Sequence, residues 1–370
     1  MSKVLIVYGT RPDAIKMAPV VNEFKKDPEI STVVCTTAQH RETIDMVNGI
    51  FGIKPDHDLN VMKESQTLEY VTSAIMERFS KVLDIERPDI VLVHGDTATC
   101  LICSLASFYR KIPVGHVEAG LRTHDIYSPF PEEMNRKLVG NIATLHFCPT
   151  ESNRNNLLRE NVPDNRIFIT GNTAIDALDT TVGTGYTFNC SELNDIDFTA
   201  KRVILLTAHR RENLGKPLEE ICNSVLEIAK EFNDVQFVYP VHPNPAVRGT
   251  VYKMLSDKKG VLLVDILDVR DLHNLIKRSY MVMTDSGGLQ EEAPALGKPV
   301  LVLRKETERP EAVEMGTVKL SGIISSGIIE DASNLLTDDK LYSRMATAVN
   351  PYGDGHASKR IRRAVKDFLS

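Results

Sequence analysis

The feature that most constrains this chain is an alternation. Short apolar runs rich in β-branched residues are separated throughout by longer segments of helical periodicity. In the first part the runs are KVLIVYG, TVVCTTA, DIVLVHGD, PVGHVEAG, LHFCPT and RIFITG. This is the βαβ pattern of a parallel sheet with helices on both faces. The rhythm breaks from Thr181 to Lys201, TVGTGYTFNCSELNDIDFTAK, where Gly, Thr, Asn and Asp mark connecting structure near a domain boundary. It restarts with RVILLTAHRREN, VQFVYPVHPN, VLLVDIL, YMVMTDSGG and PVLVLRKETERPEA. The expected fold is α/β: two facing, doubly wound Rossmann-like domains, 1–170 and 171–354, with a last helix over about 355–370 returning to the first. Two such sheets would gather their strand C-terminal ends around one interdomain cleft, where open α/β sheets bind ligands.

Composition narrows the function classes. The 370 residues are 42% hydrophobic and 25% charged, in the range of globular proteins. A net charge of −6 argues against a general nucleic-acid or anionic-membrane binder, so a phosphate ligand would need a local basic pocket. The opening MSKVLIVYGTRPDAIKM has too short an apolar run before Gly9 for a signal peptide, and no window approaches a membrane span. A cytoplasmic location is expected. Cysteines 35, 100, 103, 148, 190 and 222 lie scattered in apolar segments, as buried free thiols do. Cys100 and Cys103 have redox-motif spacing, but their setting, TATCLICSLASFY, reads as helical core.

The chemistry is concentrated just after the strands. TDSGGLQEE puts Ser286, Gly287 and Gly288 between a strand and a helix that begins with Glu291 and Glu292. Such a turn lets backbone N–H groups approach an anion; alternatively, Ser286 caps the helix and the carboxylates complement its dipole. Other strand ends deliver Arg11 and Lys16, Asp96, Glu118 and Arg122, then Glu132, Glu133 and Arg136; the second half adds His209, Arg210, Arg211 and His242. Any one of these could be a solvated loop tip, but their joint placement suggests two jobs. Arg11, Lys16, His209–Arg211 and the Ser286–Gly288 turn suit a pyrophosphate. Asp96, Glu118 and Glu132 suit acid/base work if like-charge repulsion raises some of their pKa values. No Cys/His cluster has metal-ligand spacing, and neither metal nor cofactor is expected.

The ordered motifs GTRPDAIKMAPV, TAQHRE, VHGDT, VGHVEAGLRT, PEEMNR, RIFITGNTAIDAL, TAHRREN, YPVHPNP, TDSGGLQEEAP, GKPVLVLRKETERPEA and NPYGDGHAS resemble the non-hydrolysing UDP-N-acetylglucosamine 2-epimerase family from Val4 to about Ser358. The resemblance implies a GT-B architecture, a homodimer, and interconversion of UDP-GlcNAc and UDP-ManNAc to supply ManNAc for surface polysaccharides. It implies that Arg11, Lys16, Ser286, Gly287, Gly288 and Arg309 hold the UDP part and that Glu292 meets the ribose hydroxyls. Asp96, Glu118 and Glu132 would be the acid/base groups, His209 with Arg210 would support the leaving group, and Arg136 would hold Glu132 or the sugar. Some relatives bind a second UDP-GlcNAc as an allosteric activator; the matching positions are Gln39, Gln66, Arg210 and His242, with Ser65 where those relatives often carry Arg. Competing readings are a hydrolysing epimerase, a GT-B glycosyltransferase and a non-catalytic nucleotide-sugar sensor.

Overall fold

A computed structural model of the chain describes residues 1–38, 41–63 and 66–370. They form two compact units, one of Met1–Thr180 with Tyr352–Ser370 and one of Thr181–Pro351. The first unit holds the strands β1 (Ser2–Tyr8), β2 (Ile30–Thr36), β3 (His57–Asp58), β4 (Ile90–His94), β5 (Val114–Val117), β6 (Leu145–Cys148) and β7 (Ile167–Ile169). The second holds β8 (Arg202–Thr207), β9 (Val235–Pro240), β10 (Val261–Val264), β11 (Met281–Thr284), β12 (Val300–Val302) and β13 (Val318–Leu320). Both are Rossmann-like, as the alternation predicts. Every pairing is parallel, and the orders are β3-β2-β1-β4-β5-β6-β7 and β10-β9-β8-β11-β12-β13.

The strands are apolar on both faces because both faces are covered. In β1, Val4, Ile6 and Tyr8 enter one core while Leu5 and Val7 enter another. In β4, Ile90 and Leu92 divide from Val91 and Val93 in the same way. The twofold period of a strand thus feeds two layers of helices. Cys100 and Cys103 lie fully buried on the helix Ala98–Tyr109, and burial pushes both thiols well above their ordinary pKa, so their spacing serves packing. Among the described residues no helix is long and apolar enough to cross a membrane.

Segment Thr181–Lys201 is ordered around one buried carboxylate in the second unit. Asp271 accepts from Tyr186 Oη (2.8 Å), Asn189 N (2.9 Å) and Cys190 N (2.8 Å). The C-terminal helix Ala357–Leu369 belongs to the first unit, where Ile361 and Val365 share a core with Val21 and Phe24 of the helix Arg11–Lys25. Its first amides are unpaired within the helix, as helix starts must be. Asp176 supplies the acceptors, taking bonds from Ala357 N (3.1 Å) and Ser358 N (2.7 Å) at a buried site. Asp176→Ala is therefore expected to cost about 1.5–3 kcal/mol, the scale of buried bonds to a charged acceptor. Urea unfolding measures this, and an unchanged midpoint would mean that the apolar face alone holds the helix.

Candidate active-site residues

In each sheet the chain reverses its direction of growth next to the first strand, between β1 and β4 and between β8 and β11. Loops leaving the C-terminal ends of such strands diverge and leave a crevice for polar side chains. At the first switch point the loop after β1 begins the helix Arg11–Lys25. Thr10 accepts from Asp13 N, and Asp13 Oδ2 accepts from Thr10 N, closing a capping box. Arg11 is half-buried at the first helical position. One turn further, Lys16 Nζ lies 2.6 Å from Glu118 Oε1.

Glu118 follows β5 directly and adopts φ = 62°, a left-handed conformation that costs a non-glycine residue energy. Its Oε1 also accepts from Asn172 Nδ2 (3.1 Å), and its Oε2 lies 2.9 Å from His94 Nε2. The other ring nitrogen, Nδ1, is 3.3 Å from Asp13 Oδ1. Burial opposes charge on His94, but Glu118 and Asp13 outweigh it, and the pKa stands at about 9. Burial would likewise raise Glu118, yet Lys16 and His94 hold its carboxyl well below the usual range. The expectation that like-charge repulsion raises the carboxylate pKa values therefore fails at Glu118, because its neighbours are cations. Lys16 is turned toward Glu118, where the sequence suggested a phosphate partner.

Asp96 sits in the turn after β4. Its carboxylate receives Arg136 Nε (2.8 Å) and Nη2 (2.7 Å), and its carbonyl receives Asn135 Nδ2 (2.7 Å). Glu132 opens the helix Glu132–Ile142 and is half-buried. Of the two roles the sequence suggests for Arg136, holding Glu132 or the sugar, the first is not seen: its guanidinium joins Asp96 to Glu133, whose Oε2 lies 3.0 Å from Nη1. Glu133 is fully buried and pinned by Thr123 N and His124 N, both at 3.1 Å, which presents it to the guanidinium. Arg122 is buried against Glu160 through two bonds, at 2.8 and 2.7 Å, and supports the helix packing.

At the second switch point, Asp285 follows β11 and is fully buried. Its Oδ2 gathers His209 N (2.7 Å), Arg210 N (2.8 Å) and Asn213 Nδ2 (3.0 Å), shaping the loop after β8. His209 stacks on His242, with centroids 5.1 Å apart and planes 5° from parallel. Burial lowers the His209 pKa, aided by His242 and Arg210 and opposed by Asp285. Arg211 starts a short 3₁₀ turn and is exposed.

Ser286 does not cap the following helix, Leu289–Ala295: Gly288 occupies the cap, without a side-chain bond. Gly287 has a steric role, since a Cβ there would lie 2.6 Å from Arg309 Nη1. Arg309 in turn reaches Glu291 Oε1 (2.6 Å) and Glu308 Oε1 (2.9 Å). Arg210, Arg304 and Arg309 all pair with Glu308; against burial, they hold it down at about 2. Glu292 Oε2 lies 3.4 Å from His273 Nε2, and His273 Nδ1 lies 2.6 Å from Thr181 Oγ1.

The structure thus gathers Lys16, Asp96, Glu118 and Arg136 at one strand-end rim and His209, Arg210, His242, Ser286–Gly288, Glu292 and Arg309 at the other. Of the positions suggested for an activator, Gln39 lies outside the described residues, as does Ser65; Gln66 is half-buried just before the helix Leu68–Glu86. Sequence reasoning missed Asp13, His94, Asn172, Asp285 and His273. All of these except His273 stand within the motifs given above, and the Thr10-to-Asp13 spacing is a legible capping signal. Among the described residues no group of three His, Cys, Asp or Glu side chains is placed to hold a metal ion.

The family model for UDP-N-acetylglucosamine 2-epimerase matches residues 22–366. The UDP-N-acetylglucosamine 2-epimerase of Bacillus subtilis is 56% identical over 359 residues, 97% of this chain and 93% of that protein. The S. aureus MnaA-UDP co-structure superposes with a TM-score of 0.91 at 47% identity, covering 100% of this chain and 97% of that one. The Neisseria meningitidis UDP-GlcNAc 2-epimerase bound to UDP-GlcNAc superposes with a TM-score of 0.88 at 48% identity, covering 99% of each chain. This chain belongs to the UDP-N-acetylglucosamine 2-epimerase family.

Proposed function

We propose that the chain interconverts UDP-GlcNAc and UDP-ManNAc without hydrolysis and so provides ManNAc for surface polysaccharide synthesis. The observation that carries this reading is the Glu118 carboxylate, kept ionised by Lys16 and His94 beside Asp96 at the rim of the first sheet. C2 of the sugar is not α to a carbonyl, so its proton is not acidic enough for direct abstraction. Expulsion of UDP from C1 makes the anomeric carbon cation-like and acidifies C2–H. A carboxylate then takes that proton and leaves 2-acetamidoglucal; UDP returns to C1 while a proton arrives on the other face of C2. Asp96, Glu118 and Glu132 serve as the acid/base groups, and Arg136 orients Asp96. His209 and Arg210 stabilise the departing diphosphate. Arg11, Ser286, Gly287, Gly288 and Arg309 hold the UDP part, with Glu292 at the ribose diol. Lys16 helps to hold the UDP part from its place against Glu118. The relatives' complexes with UDP and UDP-GlcNAc support the ligand class. A second UDP-GlcNAc engaging Gln39, Gln66, Arg210 and His242 would activate the enzyme.

Incubation with UDP-GlcNAc alone, followed by NMR, is expected to show UDP-ManNAc at a steady ratio, with deuterium at C2 of both epimers in heavy water and with EDTA present. Free ManNAc would identify a hydrolase, and products lacking deuterium would exclude the elimination route. Asp96→Asn, Glu118→Gln and Glu132→Gln should each reduce turnover by about two orders of magnitude or more; near-normal rates in all three would remove the carboxylates from the chemistry. Because the folded-state pKa of Glu118 is depressed, its carboxylate persists until pH falls through that value. Its acid limb in kcat/KM should therefore lie below the ordinary glutamate range; a limb at or above that range contradicts the assignment. Starting from UDP-ManNAc alone, a lag relieved by traces of UDP-GlcNAc is expected, and a rate already maximal without them argues against activation.

A further inference from the structure

Four charged side chains form an alternating chain at the first switch point: Asp13, His94, Glu118 and Lys16. Their side chains are 5%, 4%, 9% and 14% exposed, so water contributes little to their stabilisation. His94 is the last residue of β4, and both its ring nitrogens face carboxylate oxygens, Nδ1 toward Asp13 (3.3 Å) and Nε2 toward Glu118 (2.9 Å). A neutral imidazole has one N–H, so one nitrogen would set its lone pair against a carboxylate. An imidazolium carries a proton on each nitrogen, so Nδ1 hydrogen-bonds Asp13 while Nε2 meets Glu118 as a close ion pair without hydrogen-bond geometry. It also balances charge, two anions against two cations, where a neutral ring would leave a net buried anion.

We propose that His94 is a positioning residue for Glu118: a cation clamped between Asp13 and Glu118, it fixes the Glu118 carboxylate for its work at C2. The inference rests on the reading of Glu118 as an acid/base group. Glu118 occupies a left-handed backbone conformation, and three contacts from three elements hold its side chain: Lys16 from the first helix, Asn172 beyond β7 and His94 from β4. Asp13 is fixed in turn by Thr10 N and Thr97 Oγ1, both at 3.3 Å. The remaining groups around His94 do not compete for its protons. His116 on β5 is neutral, lowered to about 3 by burial, and its Nε2 donates to Gly95 O at 2.7 Å. The Cys100 thiol donates to the same carbonyl, and the Asp96 carboxylate is turned to Arg136. With a folded-state pKa of about 9, raised from the ordinary value, the clamp is present at neutral pH and is lost as pH rises through 9.

The test uses the full chain, labelled with ¹⁵N, and follows histidine ring nitrogens from pH 6 to 10. One histidine should show two protonated nitrogens at pH 7.5, titrate near 9, and vanish from the spectrum in His94→Gln. The same variant should lose about tenfold or more in kcat, with KM and UDP affinity close to those of the parent, because the buried ion pair with Glu118 is gone. The parent's alkaline limb near pH 9 should be absent from the variant. Asp13→Asn should shift the His94 titration downward. A neutral tautomer at pH 7.5, or a His94→Gln enzyme with unchanged kcat and pH profile, overturns the inference. A buried imidazolium in a chain that does not turn over UDP-GlcNAc would instead sink the epimerase reading, and with it the task assigned to Glu118, while the charge state of His94 stands.

Discussion

Parallel strand pairing is the constraint on which the rest depends. Two parallel neighbours cannot be joined by a tight turn, so the chain returns through a helix after each strand and every strand C-terminus emerges at the same edge of its sheet. Both sheets then reverse their order of growth beside the first strand, at β1/β4 and β8/β11. The backbone hydrogen bonds of the core thus decide where loops diverge. Asp96 and Glu118 stand at one divergence, and His209 and Arg210 at the other.

The same arrangement explains how charged groups are tolerated so close to apolar strands. At the first switch point they alternate in sign, Asp13, His94, Glu118, Lys16, so each is next to a group that offsets its desolvation. At the second, Asp285 is fully buried yet spends Oδ2 on two backbone amides and an asparagine, making it a brace for the His209 loop. Glu308 collects three arginines, of which Arg309 lies against Gly287. These networks hold side chains in one orientation, the preorganisation that the proposed chemistry would need.

The sequence by itself determined the fold class and which polar side chains follow the strands. Apolar runs of strand length, alternating with helical periodicity, leave little besides parallel sheets with two covered faces. Strand ends such as HGDT, GHVEAG, TAHRREN and TDSGG show which side chains stand at the rim. Strands β3 and β13 were not legible: they have two and three residues outside any longer apolar run, whereas the equally short β7 and β12 lie within RIFI and PVLVL. Tertiary structure alone decided the pairings: that Lys16 serves Glu118, that Arg136 bridges Asp96 and Glu133 and passes over Glu132, and that His94 lies between two carboxylates. Those partners are separated by up to about a hundred positions in sequence, and a local pattern encodes periodicity within one element while saying nothing of distances between side chains on different ones. The direction of a pKa follows the partner, so whether Glu118 is raised by its acidic neighbours or lowered by cationic ones was settled only when the fold brought Lys16 and His94 to it.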